Sequence, residues 1–259
     1  MNVLELFRLD GKIALVTGGA GIYGAAITEA LAEAGAHVIV ASRNVERCRM
    51  LADQLSKRGL SVSASQLDLA SRDSILALKD EIIREFGKID ILFNNAVARV
   101  EGDLSTITEE QWEQTMRVNS TGLFLSCKIF GEEMLKRRSG VIVNVASIYG
   151  RVAPDFSLYE GLRMTSPADY SFAKGGMINF TRYLASYYGR YNIRVNSLSP
   201  GGYSPYLPDE FVQRYAAKTL LGRMAKPDDI KGPAVFLASD ASAYITGVDL
   251  VVDGGWTAI

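Results

Sequence analysis

Tyr170 and Lys174 stand four residues apart in Tyr170-Ser171-Phe172-Ala173-Lys174. That spacing puts both on one face of a helix, one turn removed. A tyrosine phenol ionises near ~10 and is a poor base at neutral pH. A neighbouring ammonium favours the phenolate, and bringing the pKa to about 7 takes about 4 kcal/mol of differential stabilisation. A partly buried lysine together with a second positive charge nearby could supply that. Alone the pair is a weak signal, because Tyr-x-x-x-Lys arises by chance in many helices. A second stretch, Thr17 to Gly24 (TGGAGIYG), fits a dinucleotide-binding turn in two registers. One is Gly19-x-Gly21-x-x-Gly24. The other is Thr17-Gly18-x-x-x-Ile22-x-Gly24, with isoleucine where a glycine would stand.

Other chemistries lack their residues. The single histidine, His37, opens a strand-like run and reads as structural, while Cys48 and Cys127 are isolated in helix-like context. No catalytic thiol or transition-metal site is expected from this set, and the thiols fit a reduced, cytoplasmic setting. A net charge of −1 over 259 residues gives no reason to expect nucleic acid or an anionic membrane as partner. The basic run Lys136 to Arg138 follows a helical stretch and reads as a solvated helix end. The N-terminus carries charges inside its apolar part and no small-residue cleavage site, so it does not read as a signal peptide. No apolar run approaches the ~20 residues of a membrane span.

The elements that must position these residues alternate between strand and helix. Strands are expected in KIALVTGG, AHVIVASR, LSVSASQLD, IDILFNNA, GVIVNVAS, IRVNSLSP and DLVVDGG. Helices are expected in AAITEALAEAG, from about Asn44 to Arg58, from Ser71 to Phe86, after the N-cap Thr108 up to Arg138, from about Pro167 to Tyr191 and from Pro227. The expectation is a single α/β domain over 1–259, a Rossmann-like, doubly wound sheet of seven parallel strands. Sites in such sheets lie at the carboxyl ends of the strands, where the polar, glycine-rich segments fall.

With these segments in order, the chain resembles the short-chain dehydrogenase/reductase family from about Asp10 to Ile259. The resemblance rests on VTGGAGIYG, LDLA, NNA, Asn119 in WEQTMRVNSTGLF, NVASIYG, YSFAK, IRVNSLSPGG and LASDASAYITGVDLVVDGG. It implies an oxidoreductase that moves a hydride between a nicotinamide and a secondary alcohol or ketone. Tyr170 would be the general acid/base, and Lys174 would lower its pKa and hold the nicotinamide ribose. Ser147 would polarise the substrate oxygen, and Asn119 would anchor a water relaying protons to Lys174. It also fixes the loop register as Thr17-Gly18-x-x-x-Ile22-x-Gly24. Gly19 and Gly21 would keep the turn free to adopt positive φ. Ile22 and Tyr23 would then donate backbone amides to the pyrophosphate, their side chains turned away or covering the cofactor. Gly18, Gly21 and Gly24 complete the loop. Asp68 and Leu69 would meet the adenine, Asn95 and Ala96 would line the cofactor, and Pro200, Gly201 and Tyr203 would lie along the nicotinamide amide.

The second strand decides the cofactor. NAD-binding sites place an acidic residue at its end. Here Ser42, Arg43 and Asn44 stand there, and a hydroxyl with a guanidinium suits a 2′-phosphate. NADP(H) is expected, with NAD as the alternative should Arg43 only stack on adenine. Two departures from the family pattern bear on substrate. Residues 150–169, GRVAPDFSLYEGLRMTSPAD, form an insertion beside the site, and its Arg151, Phe156, Tyr159, Glu160 and Arg163 suit a polar ligand stacked on rings. Val97 replaces a glycine and would narrow the substrate entrance.

The stretch through MTSPADYSFAK resembles members of the family from sugar and surface-glycan metabolism, which implies a small-molecule substrate such as a sugar, polyol or sugar acid. A 3-oxoacyl-carrier-protein reductase is the alternative. It would want a basic patch at the site mouth, for which Arg137, Arg138 and Arg182 are the candidates. A non-catalytic dinucleotide sensor is disfavoured because all four catalytic residues are kept. The resemblance further implies a homotetramer joined through the long helices, with Phe124, Ile129, Phe180 and Tyr187 as contact candidates.

Overall fold

The computed structural model describes residues 2–259. Its strands are β1 (Ile13–Thr17), β2 (His37–Ser42), β3 (Val62–Gln66), β4 (Ile91–Asn94), β5 (Gly140–Val145), β6 (Ile193–Pro200) and β7 (Asp249–Val252). They form one parallel sheet in the order β3-β2-β1-β4-β5-β6-β7. The order reverses between β1 and β4, the switch point where such sheets open a crevice. β1 and β4 are buried throughout, as expected for strands covered by helices on both faces. Along β1 the side chains alternate between two cores. Ile13 and Leu15 join Ile75, Leu123 and Met177 on one face, while Ala14 and Val16 join Ile27 and Ala234 on the other.

The covering helices are α1 (Ile22–Glu33), α2 (Val45–Ser56), α3 (Arg72–Phe86), α4 (Glu109–Met116), α5 (Leu123–Arg137), α6 (Ala168–Tyr188), α7 (Asp209–Ala217) and α8 (Lys231–Ala238). Asn44, Ser71 and Thr108 cap α2, α3 and α4 through their side chains, the last in a reciprocal box with Gln111. These starts were legible because a cap is a local sequence event.

Four expectations need correction. The helix expected from Thr108 to Arg138 is broken by a π turn, Arg117–Gly122, between α4 and α5. Gly122 there packs on Leu69, whose carbonyl oxygen would lie 2.5 Å from an added Cβ. α7 went unanticipated. The helix expected from Pro227 starts as a 3-10 turn, Pro227–Ile230, before α8. The basic run is not simply solvated. Arg137 pairs with Asp90 at 3.0 Å, and Arg138 ends α5 at φ 50 and donates to the Arg190 carbonyl. Asp90 also accepts from Lys88 and from the Ile13 amide, which ties β1, β4 and α5 together at the strands' amino ends. His37 opens β2 with its ring between Ser61 and Ser63 and against Phe86. Both cysteines are buried thiols, and no helix among the described residues is long and apolar enough to cross a membrane.

Candidate active site

A cavity of about 620 Å³ opens at the carboxyl ends of the strands and runs from the end of β2 to the start of α6. Lys174 is buried on α6 with its ammonium 5.7 Å from the Tyr170 ring centre, and it donates to the Val145 carbonyl at 2.6 Å. α6 can come this close because Gly150 has no side chain. A Cβ there would meet the Lys174 main chain at 2.7 Å. Ser147 follows β5 and accepts from the Tyr149 amide as the cap of a short 3-10 turn. Its hydroxyl hydrogen is left to donate, to Tyr170 or to a ligand.

Sequence reasoning missed Arg99. Its guanidinium lies 4.8 Å above the Tyr170 ring and donates to the phenol oxygen at 3.4 Å. Burial opposes ionisation of Tyr170, but Lys174, Arg99 and the Ser147 hydroxyl outweigh it and bring the pKa below its ordinary value. Burial lowers Lys174 as well, against the attraction of Tyr170, and Arg99 pushes it the same way. Arg99 and Tyr170 are 71 residues apart in the chain. Only the loop after β4 brings them together, and no local pattern announces it.

Asn119 holds that loop. Its side-chain amide donates to the Ala98 carbonyl at 2.9 Å and accepts from the Ala98 amide at 2.8 Å. It is 5% exposed and does not line the cavity. Both ends of the side-chain amide are engaged by the Ala98 main chain. Its visible work is to position the segment that carries Val97 and Arg99, and the π turn sets its aim. Behind the site Asn94 donates to Asn144, which donates to Thr181 on α6, so buried amides lock β4, β5 and α6 together.

In the glycine loop the register beginning Thr17-Gly18 is the one the geometry uses. Buried Thr17 accepts from the amides of Asn95 and Ala96 through Oγ1, and the Asn95 side chain donates to the carbonyls of Thr17 and Gly18. The positive φ falls on Gly18, at 62°, and not on Gly19 or Gly21 as expected. Gly19 is needed for space, since a Cβ would meet Val40 at 2.5 Å. Gly24 lies beneath the loop, where a Cβ would meet the Gly18 carbonyl at 2.3 Å, so it packs and does not line the cavity. Gly21 caps α1, whose first amides, from Ile22 and Tyr23 onward, have no partner within the helix. Ile22 is 43% exposed at the cavity lip, while the Tyr23 hydroxyl donates to the Gly201 carbonyl across the cavity.

Ser42, Arg43, Asn44, Asp68, Leu69, Asn95, Ala96, Pro200, Gly201 and Tyr203 all line the cavity, as expected. Arg47 lines it too and was missed, although it lies one helical turn beyond Arg43. Ser42 donates to the Asn44 carbonyl, so it would have to turn to donate to a phosphate. A dinucleotide fits these residues: unpaired helix amides lie over a glycine turn, two arginines stand at one end, and the Tyr170–Lys174 pair stands at the other.

Residues 150–169 reach the cavity mostly through other residues than those expected. Of the five, only Tyr159 lines it, joined by Met164, Thr165, Ser166 and Pro167. Arg151 is turned to Asp249, the Glu160 carbonyl accepts from Arg214, Phe156 is exposed outside Tyr159, and Arg163 is exposed. The segment folds onto α7, which alternation in the sequence could not reveal. Val97 lines the cavity mouth.

The family model described as enoyl-(acyl carrier protein) reductase matches residues 18–257. The chain is 39% identical over 257 residues to a D-threitol dehydrogenase of Mycolicibacterium smegmatis, covering 97% of this chain and 95% of the relative. It is 34% identical to a 3-oxoacyl-(acyl-carrier-protein) reductase of Chlamydia pneumoniae, covering 96% and 98%. A gluconate 5-dehydrogenase from Burkholderia cenocepacia, solved with NADP and tartrate, superposes with a TM-score of 0.90 at 32% identity over the whole of both chains. The chain belongs to the short-chain dehydrogenase/reductase family. It is an NAD(P)-dependent oxidoreductase acting on CH–OH groups.

Proposed function

We propose that this protein interconverts a secondary alcohol and a ketone on a sugar, polyol or sugar acid, with NADP(H) as the preferred cofactor. The observation that carries the reading is the Tyr170 phenol held between the Lys174 ammonium and the Arg99 guanidinium at the end of a dinucleotide-sized cavity. In oxidation, the Tyr170 phenolate takes the hydroxyl proton of the substrate. Ser147 donates to the same oxygen and supports the developing carbonyl. Lys174 keeps Tyr170 ionisable and would hold the nicotinamide ribose. A nicotinamide bound there would supply the hydride acceptor for the carbinol carbon, or the donor for the carbonyl. In reduction Tyr170 gives its proton back. Arg99, exposed at the lip, has further N–H donors for a substrate hydroxyl or carboxylate.

Gly18, Gly21 and the amides of Ile22 and Tyr23 cradle the pyrophosphate, with Gly24 beneath them. Ser42, Arg43, Asn44 and Arg47 receive the 2′-phosphate, Asp68 and Leu69 meet the adenine, Asn95 and Ala96 line the ribose side, and Pro200, Gly201 and Tyr203 the nicotinamide amide. The single domain works as a homotetramer in the cytoplasm. Exposed aromatic rings support the assembly: Phe124 on α5, and Phe172, Tyr183 and Tyr187 on α6, with Tyr183 stacked between Phe180 and Tyr187. Ile129 is core and is not among the contacts.

The relatives include a polyol dehydrogenase and an acyl-carrier-protein reductase, so the test sets the two substrates side by side. Purified protein is incubated with NADP and a panel of polyols and sugar acids, and with NADPH and a 3-oxoacyl thioester, while nicotinamide absorbance is followed. Turnover of polyols or sugar acids is expected. Turnover of the thioester alone would replace this reading. Arg137 supports no docking patch beside the site, because it pairs with Asp90 at the opposite ends of the strands.

A further inference from the structure

Two phenols that the reaction does not use face the reacting end of the cavity. Tyr149, two residues after Ser147, and Tyr159, from the insertion, both line it, and their hydroxyl oxygens are 3.1 Å apart. One hydroxyl donates to the other, so the pair keeps one O–H to offer and lone pairs to accept with. Burial pushes both phenols up, so both stay neutral at any ordinary pH.

The segment that presents Tyr159 is anchored rather than loose. A single Arg214 guanidinium on α7 donates to the carbonyls of Ser157, Leu158 and Glu160. Asp155 caps the turn Phe156–Tyr159 and pairs with Lys218 just past α7. Leu158 is buried in a small apolar cluster with Phe211, Tyr215, Met224 and Trp256, and the Tyr159 ring lies 5.2 Å from that of Phe211. Two directed hydroxyls on a fixed wall make a built recognition surface, because their orientation is set before a ligand arrives.

We propose that Tyr149 and Tyr159 form a specificity-determining pair that binds a vicinal diol adjoining the reacting carbon. One substrate hydroxyl accepts from the pair's free O–H, and its neighbour donates to a phenol oxygen. Arg99 lies against Tyr170, and Tyr149 and Tyr159 line the same cavity, so a polyhydroxylated chain held by the pair extends from the carbon that loses or gains hydride. A monohydroxy substrate leaves the pair's free O–H without a substrate partner, and that mismatch is what rejects it. The pair thus selects polyhydroxylated substrates over simple alcohols and over acyl chains. This proposal rests on the function proposed above.

The test compares kcat/KM for erythritol and for butan-2-ol, which share a carbon chain, in the wild type, Tyr159→Phe and Tyr149→Phe. Phenylalanine keeps the ring and its packing, so each variant removes only a hydroxyl. The wild type is expected to prefer the polyol, and each variant to lower the polyol-to-monoalcohol ratio about tenfold, mainly through KM for the polyol. Arg214→Gln, which frees the wall, is expected to lower the same ratio. Arg214→Lys, which keeps a single donor cation, is expected to restore part of it. A ratio unchanged in both phenylalanine variants overturns the role of the pair and leaves the proposed reaction standing. A wild type that turns over the 3-oxoacyl thioester but neither alcohol refutes the proposed function instead.

Discussion

Replacing Arg99 by glutamine should move the pH dependence of alcohol oxidation upward. The Arg99 donor is 3.4 Å from the Tyr170 oxygen. A unit charge at that distance is worth about 1.2 kcal/mol at the dielectric constant of water, and about 5 kcal/mol at an effective constant of 20. Arg99 is exposed, so solvent screening favours the lower figure. About 1.4 kcal/mol corresponds to one pKa unit. The sign follows from the charge: removing a cation destabilises the phenolate, so the Tyr170 pKa rises. Oxidation needs the phenolate, and kcat/KM falls about tenfold for each unit of pH below that pKa. The acidic limb of the kcat/KM profile in Arg99→Gln should therefore lie about one unit higher than in the wild type. Well below the limb the variant should be about tenfold slower, apart from any loss in substrate binding. Arg99→Lys, which keeps the charge, should recover part of the shift, and added salt should shrink the difference. A limb at the wild-type pH with kcat/KM lowered by one constant factor throughout would refute the electrostatic role and leave Arg99 as a substrate contact only.

Ser42→Asp together with Arg43→Ala should turn cofactor preference from NADP toward NAD by about tenfold or more in the ratio of catalytic efficiencies. A wild type that already prefers NAD strongly would sink the 2′-phosphate reading. Ile22→Gly should keep or slightly improve NADP affinity by fluorescence titration, and a large loss would show that the isoleucine packs against the cofactor. Gly150→Ala should cost about 1–3 kcal/mol of stability through overpacking, because the new Cβ would meet the Lys174 main chain at 2.7 Å. Calorimetry should show the lower Tm and kcat should fall with it, whereas an unchanged Tm would mean that α6 yields freely. Light scattering should give four times the chain mass, and Tyr183→Glu with Tyr187→Glu should lower it. A wild-type monomer would refute the aromatic helix face as an interface.

The sequence by itself determined the parallel sheet, the helix starts at Asn44, Ser71 and Thr108, the pairing of Tyr170 with Lys174, and most of the cavity-lining loops. These follow from periodicity, capping and strand-end chemistry, which act over one or two turns of chain and can be read without knowing what lies opposite. The tertiary structure alone decided what the distant neighbours are. It set Arg99 over Tyr170, committed the Asn119 side chain to Ala98, put the left-handed backbone on Gly18 while Gly19 is kept for space, and folded residues 150–169 so that Tyr159 lines the cavity and Arg151 and Glu160 do not. In each case the partner comes from another loop or strand. Its position depends on how loops close over the packed sheet, and a local pattern carries no record of that closure.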